Sequence, residues 1–361
     1  MRVVICWIST SGYLAACWRA LAARPGIDLK LIVFPTIGTS NAPFHADLTS
    51  GLPIELLDEK YRDDTERVAA SVIAHQPDIV VVAGWAISAF NGLLSHPALR
   101  AARFVMAMDT PRKDTWKQKL ARFKLGKLLA RMDRVIVPGE RSWQYARQLG
   151  FDESRIRRGM YGFDAKALAN VADRRAARSD GWPRQFLFMG RYVPAKGIDI
   201  LLAAYAKYRS QVEQPWGLTC CGSGPLAELI SRAPGVTDRG FVQPPDQPAV
   251  FAEHGAFVIA SLYEPWGVAI AEGMSAGLPA ICTESCGASV ELLRDYWNGI
   301  SVASGNIESL AAALRWMHDH IGDLPAMGRQ ARDAAGAFSA EMWAVRWETM
   351  FKELDAHSHG V

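Results

Sequence analysis

Two hydrophobic periods take turns along this chain. Short runs are apolar at every position, as at Ala256, Phe257, Val258, Ile259 and Ala260, and read as strands buried on both faces. Between them lie longer segments with apolar residues at helical spacing. In the first half the strand-like runs fall near 2–8, 28–34, 78–83, 103–107 and 134–137. Helical patterns fall near 13–24, 62–75, 87–94, 114–132 and 140–149. In the second half strands are predicted near 185–189, 216–221, 237–241, 256–260, 279–283 and 299–302. Helices there are predicted near 197–211, 225–232, 246–254, 267–276 and 306–320. Strict alternation of this kind predicts parallel sheets joined by crossover helices. The expected fold class is therefore α/β, with two doubly wound, Rossmann-like parallel-sheet domains over 1–165 and 178–339. The polar, Arg- and Ala-rich stretch 165–183 reads as the linker. A last helix, near 340–354, carries Met342, Trp343, Val345, Trp347, Met350 and Phe351. Its pattern fits a cap on the second domain as well as a return to the first.

Composition narrows the function classes. A chain of 361 residues with 50% hydrophobic and 21% charged residues has room for two cores. A net charge of +3 gives no general reason to expect a nucleic-acid partner. The first apolar run is broken at once by Ser9, Thr10, Ser11 and Gly12, so it reads as a strand and not as a signal peptide. No apolar run approaches the ~18 residues of a membrane span. Six cysteines, two of them adjacent at Cys220 and Cys221, form neither a disulfide framework nor a C-x-x-C zinc motif. A reducing cytoplasm fits that pattern.

The segment 264–272 carries the most chemistry. Glu264 follows the 256–260 run, Gly267 and Val268 open the next helix, and Glu272 lies within it. Two carboxylates thus flank a helix start at the carboxyl end of a strand, where ligands of open α/β sheets bind. The helix start favours a phosphate. Carboxylates repel phosphate, so hydroxyl groups suit them better, and phosphate with several hydroxyls describes a sugar nucleotide. The plainer alternative is a β-α unit with two solvated acids. Pro265 and Trp266 between them, and the apolar setting of Glu272, argue against it. Upstream, Gly190 and Arg191 end a strand and Lys196 opens a helix, two cations five residues apart that suit a diphosphate. Gly222, Ser223, Gly224 and Pro225 make another strand-end turn.

The 264–272 segment resembles the E-x7-E signature of the retaining, GT-B-fold glycosyltransferases, the large family of bacterial lipopolysaccharide, mannosyl and sucrose-type transferases. The likeness is good over 160–305 and loose over 1–160. It implies two domains facing a cleft, with the last helix crossing back to the first. It also implies that Arg191 and Lys196 hold the donor diphosphate, that Glu264 acts on the donor sugar, and that Glu272 binds the ribose. By the same resemblance, backbone at Gly190, Gly222, Val242, Gly267 and Val268 lies along the nucleotide, with Val242 in the base-contacting segment. Gly12 would reach the diphosphate from the first domain, in a loop with fewer glycines than the family usually has. Tyr161, Gly162, Phe163 and Asp164 resemble the family's Asn-Gly-Val-Asp. Where many relatives carry His-Asp at a first-domain strand end, this chain reads Met108-Asp109, so the aspartate remains and the histidine does not. None of the eight histidines, His45 in a loop being nearest, replaces it.

The expected activity is metal-independent transfer of a sugar from a nucleotide-diphosphate sugar to the hydroxyl of a saccharide or lipid-linked acceptor, with no cofactor. No Asp-x-Asp occurs, so charge on the leaving group would be met by cations and a helix start. A non-catalytic sugar-nucleotide-binding subunit and another GT-B enzyme such as an epimerase are the alternatives. Residues 112–134 carry nine cations against Asp114 and Asp133. That segment reads either as a surface helix with an apolar side in the core, or as a basic amphipathic helix resting on anionic lipid at the inner face of the membrane.

Overall fold

The computed structural model describes residues 1–34 and 43–356. They form two compact units: residues 1–34, 46–162 and 340–356, and residues 43–45 with 163–339. The first unit contains strands β1 (Arg2–Trp7), β2 (Asp28–Val33), β3 (Ile54–Leu56), β4 (Ile79–Ala83), β5 (Arg103–Ala107), β6 (Arg134–Val137) and β7 (Ile156–Arg158). They form one parallel sheet in the order β3-β2-β1-β4-β5-β6-β7. The second contains β8 (Gln185–Met189), β9 (Gly217–Cys221), β10 (Val236–Asp238), β11 (Ala256–Ile259), β12 (Ala280–Thr283) and β13 (Gly299–Val302). Their order is β10-β9-β8-β11-β12-β13, again all parallel. Both orders reverse direction once, between β1 and β4 and between β8 and β11, and ligands of doubly wound sheets bind beside such reversals.

The central strands are apolar on both faces because helices cover both. Val80 and Val82 face one layer of the first unit with Phe90 and Phe104, while Val3, Ile5 and Val81 face the other with Trp18 and Trp347. The helix Ala340–Ala356 belongs to that second layer. Its Trp343 and Trp347 indoles are buried and donate to the carbonyls of Met160 and Gly159, at 2.7 and 3.3 Å. Burying two tryptophans with both N–H groups satisfied ties the chain end to the first sheet.

Three details differ from the pattern-based expectation. The stretch read as a linker is folded into the second unit. It carries the helices Ala165–Leu168 and Val171–Ala176, and Arg175 is fully buried. Its guanidinium donates to the carbonyls of Phe251, His254, Ala276 and Gly277 at 2.6–3.0 Å and lies over the Trp182 ring. Burial lowers its pKa to about 9. Composition alone reads an Arg-rich stretch as solvated and misses an arginine that caps carbonyls from inside. Second, the single helix expected near 114–132 is two, Trp116–Lys124 and Gly126–Arg131, broken where Leu125 leaves helical geometry (φ −96°, ψ 4°) ahead of Gly126. Third, β3 and β7 are three-residue edge strands carrying Glu55, Arg157 and Arg158, too short and too charged to show as apolar runs.

Candidate functional site

Four strand-end loops of the second unit converge. The loop after β8 is tied to the loop after β9 by Gly190 N–H to Cys221 O (2.9 Å) and Tyr192 N–H to Ser223 O (2.8 Å). The loop after β9 is tied to the turn after β10 by Gly222 N–H to Gly240 O (2.8 Å). Asp238 fastens the same corner, accepting from the Tyr192 hydroxyl and from Gly240 N–H, both at 2.8 Å. Tyr192 is therefore a buried strut, and it sets the position of the 240–242 backbone that holds Val242. Phe44 packs edge-on against Phe241 with ring centres 5.1 Å apart, and Gln243 donates to Pro43 O at 2.8 Å.

The loop after β8 also meets the loop after β11. Ala195 O accepts from Leu262 N–H (2.9 Å) and Tyr263 N–H (3.2 Å). The Lys196 ammonium donates to the Glu264 carboxylate, and both side chains are largely buried, with 15% and 13% exposed. Two residues that the sequence assigns to different parts of a donor thus neutralise each other. Arg191, by contrast, is exposed, and no ion pair to it occurs among the described residues.

Glu264 is held from behind by a strand-end loop that sequence reading passed over. Gly287 N–H donates to Glu264 O (3.0 Å), Ala288 N–H to Trp266 O (2.8 Å), and the Cys286 thiol to Trp266 O (2.8 Å). A Cβ on Gly287 would overlap the Pro265 carbonyl, so only glycine lets the two loops meet. Its signal in the sequence was faint, a lone Cys-Gly after a strand. Trp266 is core and packs on Phe338 at 5.3 Å. Gly267 has φ +98°, the left-handed geometry that glycine accepts without strain, and it caps the helix Val268–Ser275 with no side-chain acceptor. The helix Ile198–Gln211 starts in the same way at Gly197 (φ +62°). Both helix starts near the β8/β11 reversal therefore keep N–H groups unclaimed by capping side chains.

Glu272 lies one turn into the helix Val268–Ser275, and no side-chain partner for it occurs among the described residues. Desolvation, and then repulsion from Asp164, push its pKa up to about 7. Asp164 is the N-cap of the helix Ala165–Leu168 and accepts from Ala167 N–H at 3.0 Å.

Two of the candidate residues lie in the first unit. Gly12 opens the helix Gly12–Ala22, where Ser11 Oγ accepts from Leu14 N–H at 3.4 Å. Asp109 follows β5. The Tyr161 hydroxyl donates to its carboxylate at 3.0 Å, and Tyr161 meets Tyr13 edge-on at 5.8 Å. Tyr161 thus gathers Asp109 and the start of the first helix, a role its sequence position did not reveal. Of the histidines considered, His318 accepts or donates to the Tyr208 hydroxyl (2.8 Å) and His320 stacks on Trp316 (4.2 Å), both structural contacts. His45 is exposed, and its backbone N–H donates to Gln243 at 3.4 Å. His357 and His359 lie outside the described residues.

The chain is similar to known proteins in sequence and in structure. The family description "Glycosyl transferases group 1" matches residues 183–320, which include all four converging loops. The chain is 28% identical over 172 residues to the exopolysaccharide phosphotransferase SCO2592 of Streptomyces coelicolor, covering 45% of this chain and 18% of that one. It is 26% identical over 255 residues to the D-rhamnosyltransferase WbpZ of Pseudomonas aeruginosa, covering 65% of each. The matches thus span less than two thirds of either relative. In structure it is similar to Anabaena Alr3699/HepE, solved with UDP and glucose, with a TM-score of 0.73 at 17% identity over 97% of this chain and 99% of that one. Residues 183–320 thus match the glycosyl transferases group 1 description, and the chain has the two-unit GT-B fold of its structural neighbours.

Proposed function

We propose that the chain transfers a sugar from a nucleotide-diphosphate sugar to an acceptor hydroxyl, with retention of configuration and without a metal. The setting would be polysaccharide, glycolipid or glycoconjugate synthesis. The observation that carries the reading is the Lys196–Glu264 pair beside the glycine-started helix Val268–Ser275. A diphosphate entering there competes for Lys196 and releases Glu264 to accept hydrogen bonds from sugar hydroxyls. Arg191, Lys196 and the helix start then stabilise the leaving diphosphate. The acceptor oxygen bonds to the anomeric carbon on the leaving-group face as the bond from that carbon to the phosphate oxygen breaks. The bonding pair leaves with the diphosphate, and the acceptor proton passes to a phosphate oxygen. Glu272 holds the ribose diol.

A thermal-shift screen of nucleotide sugars tests the donor. The right one at 100 times its Kd stabilises by ~2.7 kcal/mol. Arg191→Ala should weaken nucleoside diphosphate binding by about 1–3 kcal/mol. Product analysis with EDTA-treated, metal-free protein should still find the glycosylated acceptor. An absence of any donor shift sinks the donor reading. Turnover that only Mg²⁺ or Mn²⁺ restores sinks the metal-free mechanism, and an epimerised sugar, or binding without turnover, favours the alternatives.

A further inference from the structure

The basic segment near 112–134 has features of both helices that its sequence allows. Ala121 and Leu125 pack against the core of the first unit, so the helix Trp116–Lys124 is anchored on one side. Its other side is apolar too. Trp116, Leu120 and Phe123 are 67%, 53% and 78% exposed, although residues of this size are costly to leave in water. At ~100° per residue these three fall within about 60° of one another on the helix, opposite Ala121 and Leu125. Lys117 and Lys124 flank this stripe on one side and Lys119 on the other. The helix has no acidic residue, and none of these three lysines is in an ion pair among the described residues. Lys117 reaches over the Trp116 ring, 5.8 Å from its centre.

We infer that the stripe Trp116–Leu120–Phe123 is a docking surface for an anionic lipid bilayer. Charge complementarity selects that occupant: an apolar ridge flanked by Lys117 and Lys124 on one side and Lys119 on the other matches acyl chains beneath anionic headgroups. A soluble partner would need both a groove and acids placed to match the lysines on either side. Among the described residues no helix is long and apolar enough to cross a membrane, so the contact would be a peripheral one. The inference is independent of the donor chemistry, because none of the stripe residues or their lysines is among the residues assigned to the donor.

Co-sedimentation of the full chain with phosphatidylglycerol-containing vesicles, and with pure phosphatidylcholine vesicles, tests it. Binding should favour the anionic vesicles and weaken with added salt. The triple variant Lys117→Ala, Lys119→Ala, Lys124→Ala should lose about fivefold per cation. The double variant Trp116→Ser, Phe123→Ser should lose at least about tenfold with an unchanged melting temperature, since both side chains already face solvent. No binding, equal binding to both vesicles, or unchanged binding of both variants overturns the inference. So does a stripe-dependent dimer in sedimentation velocity without vesicle binding, which would give the face to a second copy.

Discussion

The two units share the order of their first six strands but not one chemistry. After β1, the loop Ile8-Ser9-Thr10-Ser11-Gly12 carries no charge, and Ser11 caps the helix that follows. After β8, the strand of the second sheet that matches β1, and after its neighbour β11, the loops carry Arg191, Lys196 and Glu264, and the helices start at left-handed glycines with no capping side chain. The first loop satisfies part of its own helix start. The second pair leaves that work to something else, and places cations beside it. A doubly wound sheet supplies the same crevice twice, and loop residues decide which crevice binds an anion.

The largest effect should come from the pair that defines the second region. Glu264→Gln keeps size but removes the charge that answers Lys196. If Glu264 acts on the sugar as positive charge develops, kcat should fall by about 10²–10³-fold, a typical loss for one preorganised electrostatic group. Donor KM should change little, because the ground state is mainly held by the diphosphate. Lys196→Ala should show the opposite weighting, with a marked loss of nucleoside diphosphate affinity. Equal changes in KM for both variants, with kcat intact, would make the pair a structural clamp.

Glu272 sharpens the contrast within the second unit. It lies in the same motif as Glu264, yet it faces an acid instead of a cation. Its pKa rises from the ordinary 4.5 to about 7, so the folded state holds a proton that the unfolded chain has lost. Stability should therefore fall as pH rises from about 4.5 to about 7 and level off above. Glu272→Gln should remove that slope and be the more stable protein at pH 8. If the carboxylate accepts from ribose hydroxyls, nucleotide affinity of the native chain should weaken below about pH 7, and the variant should bind more weakly but without that pH dependence. A melting temperature with the same pH profile in both proteins would deny the raised pKa.

How much of this was legible beforehand follows from what each feature depends on. The central strands, the glycines at strand ends and the charges beside them are local, and a buried parallel strand has to be apolar throughout. Arg191, Lys196, Glu264 and Glu272 could be singled out for that reason. Their partners could not. Lys196 and Glu264 are 68 positions apart and meet only because β8 and β11 are neighbours. Asp164 raises the pKa of Glu272 from across the packed helices, and Tyr161 reaches Asp109 over 52 positions. The stretch 165–183 was read as a linker because burying the Arg175 guanidinium against four carbonyls leaves no periodic trace. Gly287 was passed over because one glycine after a strand is common.

The smallest expected effect tests the first region. Ser11→Ala removes the hydroxyl that accepts from Leu14 N–H, and N-cap losses of this kind cost about 1 kcal/mol. The distance of 3.4 Å is long for such a bond, so the lower half of the usual range is expected. Denaturant unfolding should show a modest fall in midpoint with an unchanged slope. Titration of nucleoside diphosphate, read alongside, separates two accounts of Gly12. If the first unit's helix start only caps itself, affinity stays at the native value while stability falls. If its backbone reaches the diphosphate, as the family resemblance implies, loosening the first turn should weaken affinity too, and Ser11→Asp should weaken it further. Aspartate restores the cap, and with it stability, but sets a negative charge beside the phosphates. Stability rescued together with affinity would leave the second unit as the only anion site, and stability rescued while affinity drops would show that both crevices meet the donor.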